Sequence, residues 1–304
     1  MNTLESIVVM FVLTVLGYMF GKIRSKIIDV CMDLVNKLLF YVVIPAIIFK
    51  AIYGSNDLEN ISSAIVTSGT HISLMFIISY ITSYAIGIKN SKELSAIMIS
   101  LSMPNVGYLA IPLSVVLIGD SRYVVPYTIA FNIVLPLLIL ILSIFYSTNN
   151  SSKINLVKSV PFLFSLAVSL FLKFLNIYIA VPQMIFRSID IIILSSFVII
   201  GYEFSKIVID TMKSSIKFVL LGVIMRYMVS PIVLILLILQ NGLINNFNYY
   251  RGLMLQSVMP PAVSNIILAK VYNLKSEIVS ILTVVLTPIS ITITIAIFSI
   301  FLPS

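Results

Sequence analysis

The sequence predicts an all-α polytopic membrane protein, and three observations carry that expectation. The 304 residues are 60% hydrophobic, and their mean hydropathy is +1.14. Charged residues make up only 10%, against roughly 25% in a soluble domain. Apolar segments of membrane-spanning length recur along the whole chain, instead of the short alternating segments of a barrel.

Polar punctuation divides the chain into ten predicted helices, near 6–22, 34–53, 62–88, 94–118, 122–147, 155–176, 183–205, 213–240, 250–271 and 276–301. The first apolar segment, Ser6 to Phe20, has no basic flank before it and no small-residue cleavage site after it. It reads as a retained span and not as a signal peptide. The basic cluster Lys22, Arg24 and Lys26 ends it, and "GSNDLEN" at 54–60 ends the second. A single cysteine, Cys31, excludes an internal disulfide and a cysteine metal cluster. No metal or other cofactor is expected.

The basic residues set the orientation. Of the 19 Lys and Arg, 13 fall in odd-numbered connections, 5 in even-numbered ones, and Arg226 lies inside a span. Positive loops stay cytoplasmic, so both termini are expected outside. The net charge of +8 is then mainly a topology signal and a contact with anionic lipid. It does not point to a nucleic-acid partner.

Five predicted spans on each side of residue ~150 suggest a repeat, 1–147 and 148–304, and an odd number per half inverts the second copy. "SMPNV" at 102–106 recurs as "VMPPAV" at 258–263, with Met103-Pro104 and Met259-Pro260 offset by 156. The same offset lays "LLFYVVIP" at 38–45 on "LSSFVIIG" at 194–201. Proline and glycine inside an apolar span break the helix. Freed backbone groups are costly in hydrocarbon but tolerable beside a water-filled cavity. Paired breaks in inverted halves therefore point to a transport site near the bilayer midplane. The half-helix N-termini suit a carboxylate, and Asn105 and Asn265 stand beside the breaks.

At these residues the sequence resembles the auxin efflux carrier family, which holds bacterial and archaeal organic-acid carriers and the plant PIN-type auxin exporters. "SLSMPNVGYLAIPLSVVLIGD" is similar to the family's fourth-span crossover, and "QSVMPPAVSNIILAKVYNLKSEIVS" to its ninth. "GYMFGKIRSK…NKLLFYVVIPAIIF" is similar to the first two spans. The resemblance implies ten spans with extracellular termini in the cell membrane, and a homodimer. It implies a scaffold of spans one, two, six and seven, and a mobile transport domain of spans three to five and eight to ten that moves as an elevator. Three features depart from the family. The link at 148–154 is short, Ala110 replaces a glycine, and the second break carries two prolines, Pro260 and Pro261.

Individual residues then acquire expectations. Pro104 and Pro260 make the breaks. Asn105 matches the family's crossover asparagine, which contacts the substrate; as a bare residue it also reads as a cap for broken backbone. Asn265 is its looser counterpart. Gln256, one turn before the second break, faces either the cavity or a neighbouring helix. Asn132, in "IAFNIVLP", is costly against lipid and should face inward, and the family has a polar contribution from that span. Arg226 either attracts an anion, serves as a fixed counter-charge, snorkels, or pairs with a carbonyl or with Glu203. His71 is the one histidine; it either takes part in proton coupling or bonds a neighbouring helix.

The expected substrate is a small organic anion, a carboxylate. A sodium-coupled carrier of the bile-acid type would want acidic ligands at the crossovers, and neither crossover has them. An intramembrane enzyme would want a nucleophile–base or metal constellation, which one His and one Cys do not supply. A passive channel would not need two matched breaks.

Overall fold

The computed structural model describes residues 3–23, 25–145, 159–177, 179–206 and 216–300. The linker at 148–154, with Lys153, and both chain ends lie outside them. Every regular element among the described residues is helical. In chain order these are α1 (Thr3–Lys22), α2 (Lys26–Leu38), α3 (Ile44–Tyr53), α4 (Leu58–Ala85), α5 (Ser91–Ser102), α6 (Ala110–Leu117) and α7 (Val125–Phe145). There follow α8 (Val160–Phe174), α9 (Gln183–Ile192), α10 (Ser196–Lys206), α11 (Ile216–Ile224), α12 (Ser230–Gln240), α13 (Phe247–Ser257), α14 (Ser264–Val271) and α15 (Ser276–Ile300). Five runs are long and apolar enough to cross a membrane: Leu58–Ala85, Ser121–Leu142, Gln183–Lys206, Ile216–Gln240 and Ser276–Phe298.

One expected boundary moves well beyond the others. The helix predicted from residue 34 starts at Lys26. Asp29, Asp33 and Lys37 make that first stretch amphipathic, which hid it from a reading by hydropathy alone. No residue of α2 is buried.

Two helices widen where a proline follows. A π turn, Leu39–Val43, joins α2 to α3 just before Pro45. Another, Met225–Val229, joins α11 to α12 just before Pro231. Proline has no N–H to give the carbonyl four residues back, and its ring crowds that carbonyl. A local π turn absorbs the mismatch without ending the helix, and such turns are frequent at functional sites.

Small residues draw α1 and α10 together. A Cβ on Gly17 would lie 2.0 Å from the Val198 carbonyl oxygen, and one on Gly201 would lie 1.9 Å from that of Thr14. Only glycine allows backbones this close. The Ser165 hydroxyl donates to the Pro45 carbonyl at 2.5 Å and ties α8 to α3. Gly201 and Pro45 therefore make these close contacts inside one chain.

A second group forms around α4, which packs on α7, α5 and α12, while α11 packs on α15. The Tyr227 hydroxyl, on the second π turn, donates to the Leu286 carbonyl of α15 at 2.7 Å. Asn241 donates from the end of α12 to Thr67 of α4 at 2.8 Å.

Candidate functional site

The two interrupted helices cross at their breaks. Pro104 and Pro261 form an isolated antiparallel bridge. The Asn105 N–H donates to the Pro260 carbonyl at 2.8 Å, and the Ala262 N–H donates to the Met103 carbonyl at 3.1 Å. Backbone groups freed by one break are thus satisfied by the other, as burial demands. The bridge is symmetric under a shift of 157 residues, since 103, 104 and 105 stand opposite 262, 261 and 260. The repeated Met-Pro pair had suggested 156. Pro261, not Pro260, is the local counterpart of Pro104.

A small cavity of about 60 Å³ lies against this crossing. Its walls include Pro104, Asn105, Thr128 and Asn132, with Phe40 from the first π turn and Ser264 at the start of α14. It has room for a carboxylate-sized group or a few waters. Val106, Gly107 and Tyr108, which lead into α6, also line it. The first residue of α14 and the loop that leads into α6 therefore face the same space, where a helix N-terminus favours an anion.

A larger cavity of about 810 Å³ adjoins it, and the two share Phe40, Tyr108, Val263 and Ser264 as walls. Three lysines, Lys37, Lys206 and Lys270, line the larger space with Asp33, Glu203 and Glu277. Lys37 is engaged with Asp33 at 2.6 Å. These lysines belong to the connections that the charge asymmetry assigns to the cytoplasm. Tyr108 stands between the two cavities, and its hydroxyl donates to Asn36 Oδ1 of α2 at 2.7 Å.

The predicted site residues separate into two sets. Asn105, 3% exposed, and Asn132, 7% exposed, both line the small cavity. Asn132 holds its orientation by donating Nδ2 to the Thr128 carbonyl at 2.8 Å. Asn265 does something else. Its Nδ2 donates to the carbonyls of Met103, at 2.8 Å, and Ile99, at 3.3 Å. It caps the open end of α5 and lines neither cavity. Gln256 is fully buried and donates Nε2 to the Val124 carbonyl at 3.3 Å. It too lines neither cavity, and of its two readings the neighbouring-helix one matches its place.

His71 bonds two neighbours. Its Nδ1 lies 2.7 Å from the Tyr127 hydroxyl and its Nε2 lies 3.0 Å from the Ser230 carbonyl. The carbonyl accepts only, so Nε2 carries the proton and Nδ1 accepts from the tyrosine. The ring is a neutral link between α4, α7 and α12. Arg226, on the second π turn, is fully buried. None of the ion pairs among the described residues includes it, and the expected pairing with Glu203 is not formed.

Sequence reasoning missed Thr128, Tyr108, Phe40 and Ser264. Thr128 was findable, since it lies four residues before Asn132 and so shares its helix face. Its hydroxyl also donates to the Val106 carbonyl at 3.2 Å, which anchors the crossover loop to α7. Nothing in the sequence aims Phe40 at the crossing.

Among curated proteins none matches the chain. A family model described as membrane transport protein matches residues 2–170, more than half of the chain. That family is one of transporters and not of enzymes. With its crossed broken helices and long apolar runs, the chain belongs to the membrane transport protein family, that of the auxin efflux carriers.

Proposed function

We propose that this protein is a secondary carrier that moves a small organic anion, a carboxylate, across the cell membrane by an elevator-type alternating-access mechanism. The observation that carries this reading is the crossing at Pro104 and Pro261 with Asn105 and Asn132 on one small cavity beside it. A carboxylate entering through the larger cavity would meet the Asn105 amide, the start of α14 and the loop that leads into α6. Those groups are donors, and no acidic side chain lines the small cavity.

The reading divides the ten spans into two inverted five-helix repeats. The scaffold is α1–α3 with α8–α10, and the mobile half is α4–α7 with α11–α15. Two supports are the symmetric bridge and the preferential packing of α1 on α10 and of α4 on α7. The larger cavity runs between the two halves, so this conformation is the one open to the lysine-rich side. Termini on the opposite side and a homodimer in the plasma membrane complete the reading, the dimer on family grounds.

Counterflow in proteoliposomes loaded with pyruvate, lactate, benzoate or succinate tests it, with and without sodium and proton gradients. Transport of at least one carboxylate is expected without either gradient. Asn105→Ala should weaken its binding roughly ten- to a hundredfold, the loss of one donor to a charged acceptor. Strict sodium dependence would instead support a bile-acid-type carrier. Unchanged binding in Asn105→Asp would remove Asn105 from the site.

A further inference from the structure

Among the described residues, Arg226 is a charge in the interior of the mobile half that has no partner. It is 0% exposed, and its Nε, Nη1 and Nη2 atoms all lack a hydrogen-bond partner. The hydroxyls near it point their protons at other partners and carry no charge. Tyr127 gives its hydroxyl proton to His71, and Tyr227 gives its own to Leu286 and stands 2.8 Å from Ser290. His71 itself is a neutral link. The other buried arginine of this half, Arg251, has partners, although its Nε has none. It donates to the Leu117 carbonyl at 3.1 Å and lies over the rings of Phe247 and Phe298, at the ends of α13 and α15. A guanidinium keeps its proton in proteins, so Arg226 is a fixed positive charge.

Its position relates it to the crossing. Arg226 does not line the small cavity. It lies one helical turn before Ser230, whose carbonyl bonds His71; His71 in turn bonds Tyr127, and the residue after Tyr127 is Thr128, a wall of that cavity. In a low-dielectric interior the field of an unpaired charge extends across such a chain of contacts. An anion beside Asn105 would therefore feel Arg226 without touching it.

We infer that Arg226 is the built-in counter-charge of the carboxylate site and cancels the charge of a bound monocarboxylate, so that the mobile half crosses the membrane one charge more positive when it is empty than when it is loaded. The inference rests on the elevator reading above and adds to it which step the membrane potential acts on. A potential negative on the side of the larger cavity pulls the empty half toward that side and favours the conformation seen here. The loaded half, with one positive charge cancelled, responds less. A full elementary charge crossing a resting-type potential shifts an equilibrium roughly tenfold or more, and a charge crossing part of the field shifts it several-fold.

The test needs no substrate for its first arm. Ser280 lines the larger cavity, and Cys31 is exposed. Ser280→Cys in a Cys31→Ser background is reconstituted in proteoliposomes, and an impermeant maleimide is applied from the larger-cavity side under clamped potentials. In the absence of substrate, labelling should rise several-fold as that side is made negative. Arg226→Lys should keep the response and Arg226→Gln should lose it. A saturating concentration of the fastest monocarboxylate among pyruvate, lactate and benzoate should weaken it. Labelling that ignores potential in the Arg226-containing protein overturns the inference without any change at 226. Chloride flattening the response in place of the carboxylate also overturns it, because a bound inorganic anion then balances the charge. Flat labelling together with carboxylate counterflow defeats this inference and leaves the carrier reading intact. A potential response without counterflow of any carboxylate supports the moving charge and defeats the organic-anion reading instead.

Discussion

Asn265 reaches across the crossing to bond the carbonyl of Met103, the residue that closes α5, at 2.8 Å. Asn105, beside the same crossing, keeps its side chain on the small cavity. Two asparagines that look alike in sequence thus carry different loads. Asn265→Ala should remove the second donor from two carbonyls of a buried helix end, each of which keeps a backbone donor, at a cost of about 0.5–1.5 kcal/mol. Asn105→Ala should cost little stability, because water in the cavity replaces its bonds. Thermal unfolding and carboxylate binding of the purified variants separate them. A stable Asn265→Ala protein with lost binding would reverse the assignment.

Close helix contact gives a second expectation. Gly201→Ala places a methyl group 1.9 Å from a backbone oxygen of α1, and backbone cannot rotate away. The two helices must separate, at about 1–3 kcal/mol or more. Gly69→Ala is the control, since its methyl would meet Val134 at an ordinary 3.6 Å. Unfolding of both variants in one detergent should show a lowered midpoint for the first and little change for the second.

Tyr108 offers a third. Its hydrogen bond to Asn36 links the crossover loop to α2 where the two cavities meet. Losing a bond worth about 0.5–1.5 kcal/mol changes an open-to-closed ratio by about 2- to 12-fold. Tyr108→Phe should therefore speed maleimide labelling of Thr128→Cys, in a Cys31→Ser background, by such a factor. An unchanged rate would mean that the bond does not restrict passage.

The fourth concerns pH. With Nε2–H directed at a carbonyl and Nδ1 accepting from Tyr127, His71 is held as a neutral ring. Glutamine carries one donor and one acceptor group and can keep both contacts. His71→Gln should transport with the same pH profile between about pH 6 and 8, the range where a free histidine titrates. His71→Phe should lose stability, because the Tyr127 hydroxyl is left without a partner and the link from α4 to α12 is lost. Removal of a pH dependence by His71→Gln would return the histidine to a proton-coupling role.

Much of this protein could be read from its residues. Hydropathy alone marks where apolar helices run, because a membrane helix needs about 20 apolar residues in a row. Proline chemistry alone marks where they break, at Pro104 and at Pro260 and Pro261, because a missing N–H interrupts the ladder wherever it falls. Direction is a different matter. A helix that is apolar all round carries no stripe to show which face meets protein and which meets lipid, and a break frees the chain to turn. Only the tertiary structure therefore set Pro104 against Pro261, turned Asn265 onto α5 and Gln256 onto Val124, and left Asn105 with Asn132 on the cavity. It also decided that Gly201 serves α1 and that Arg226 stands alone. Those outcomes depend on how side chains hundreds of residues apart meet in space, and local sequence does not encode that meeting.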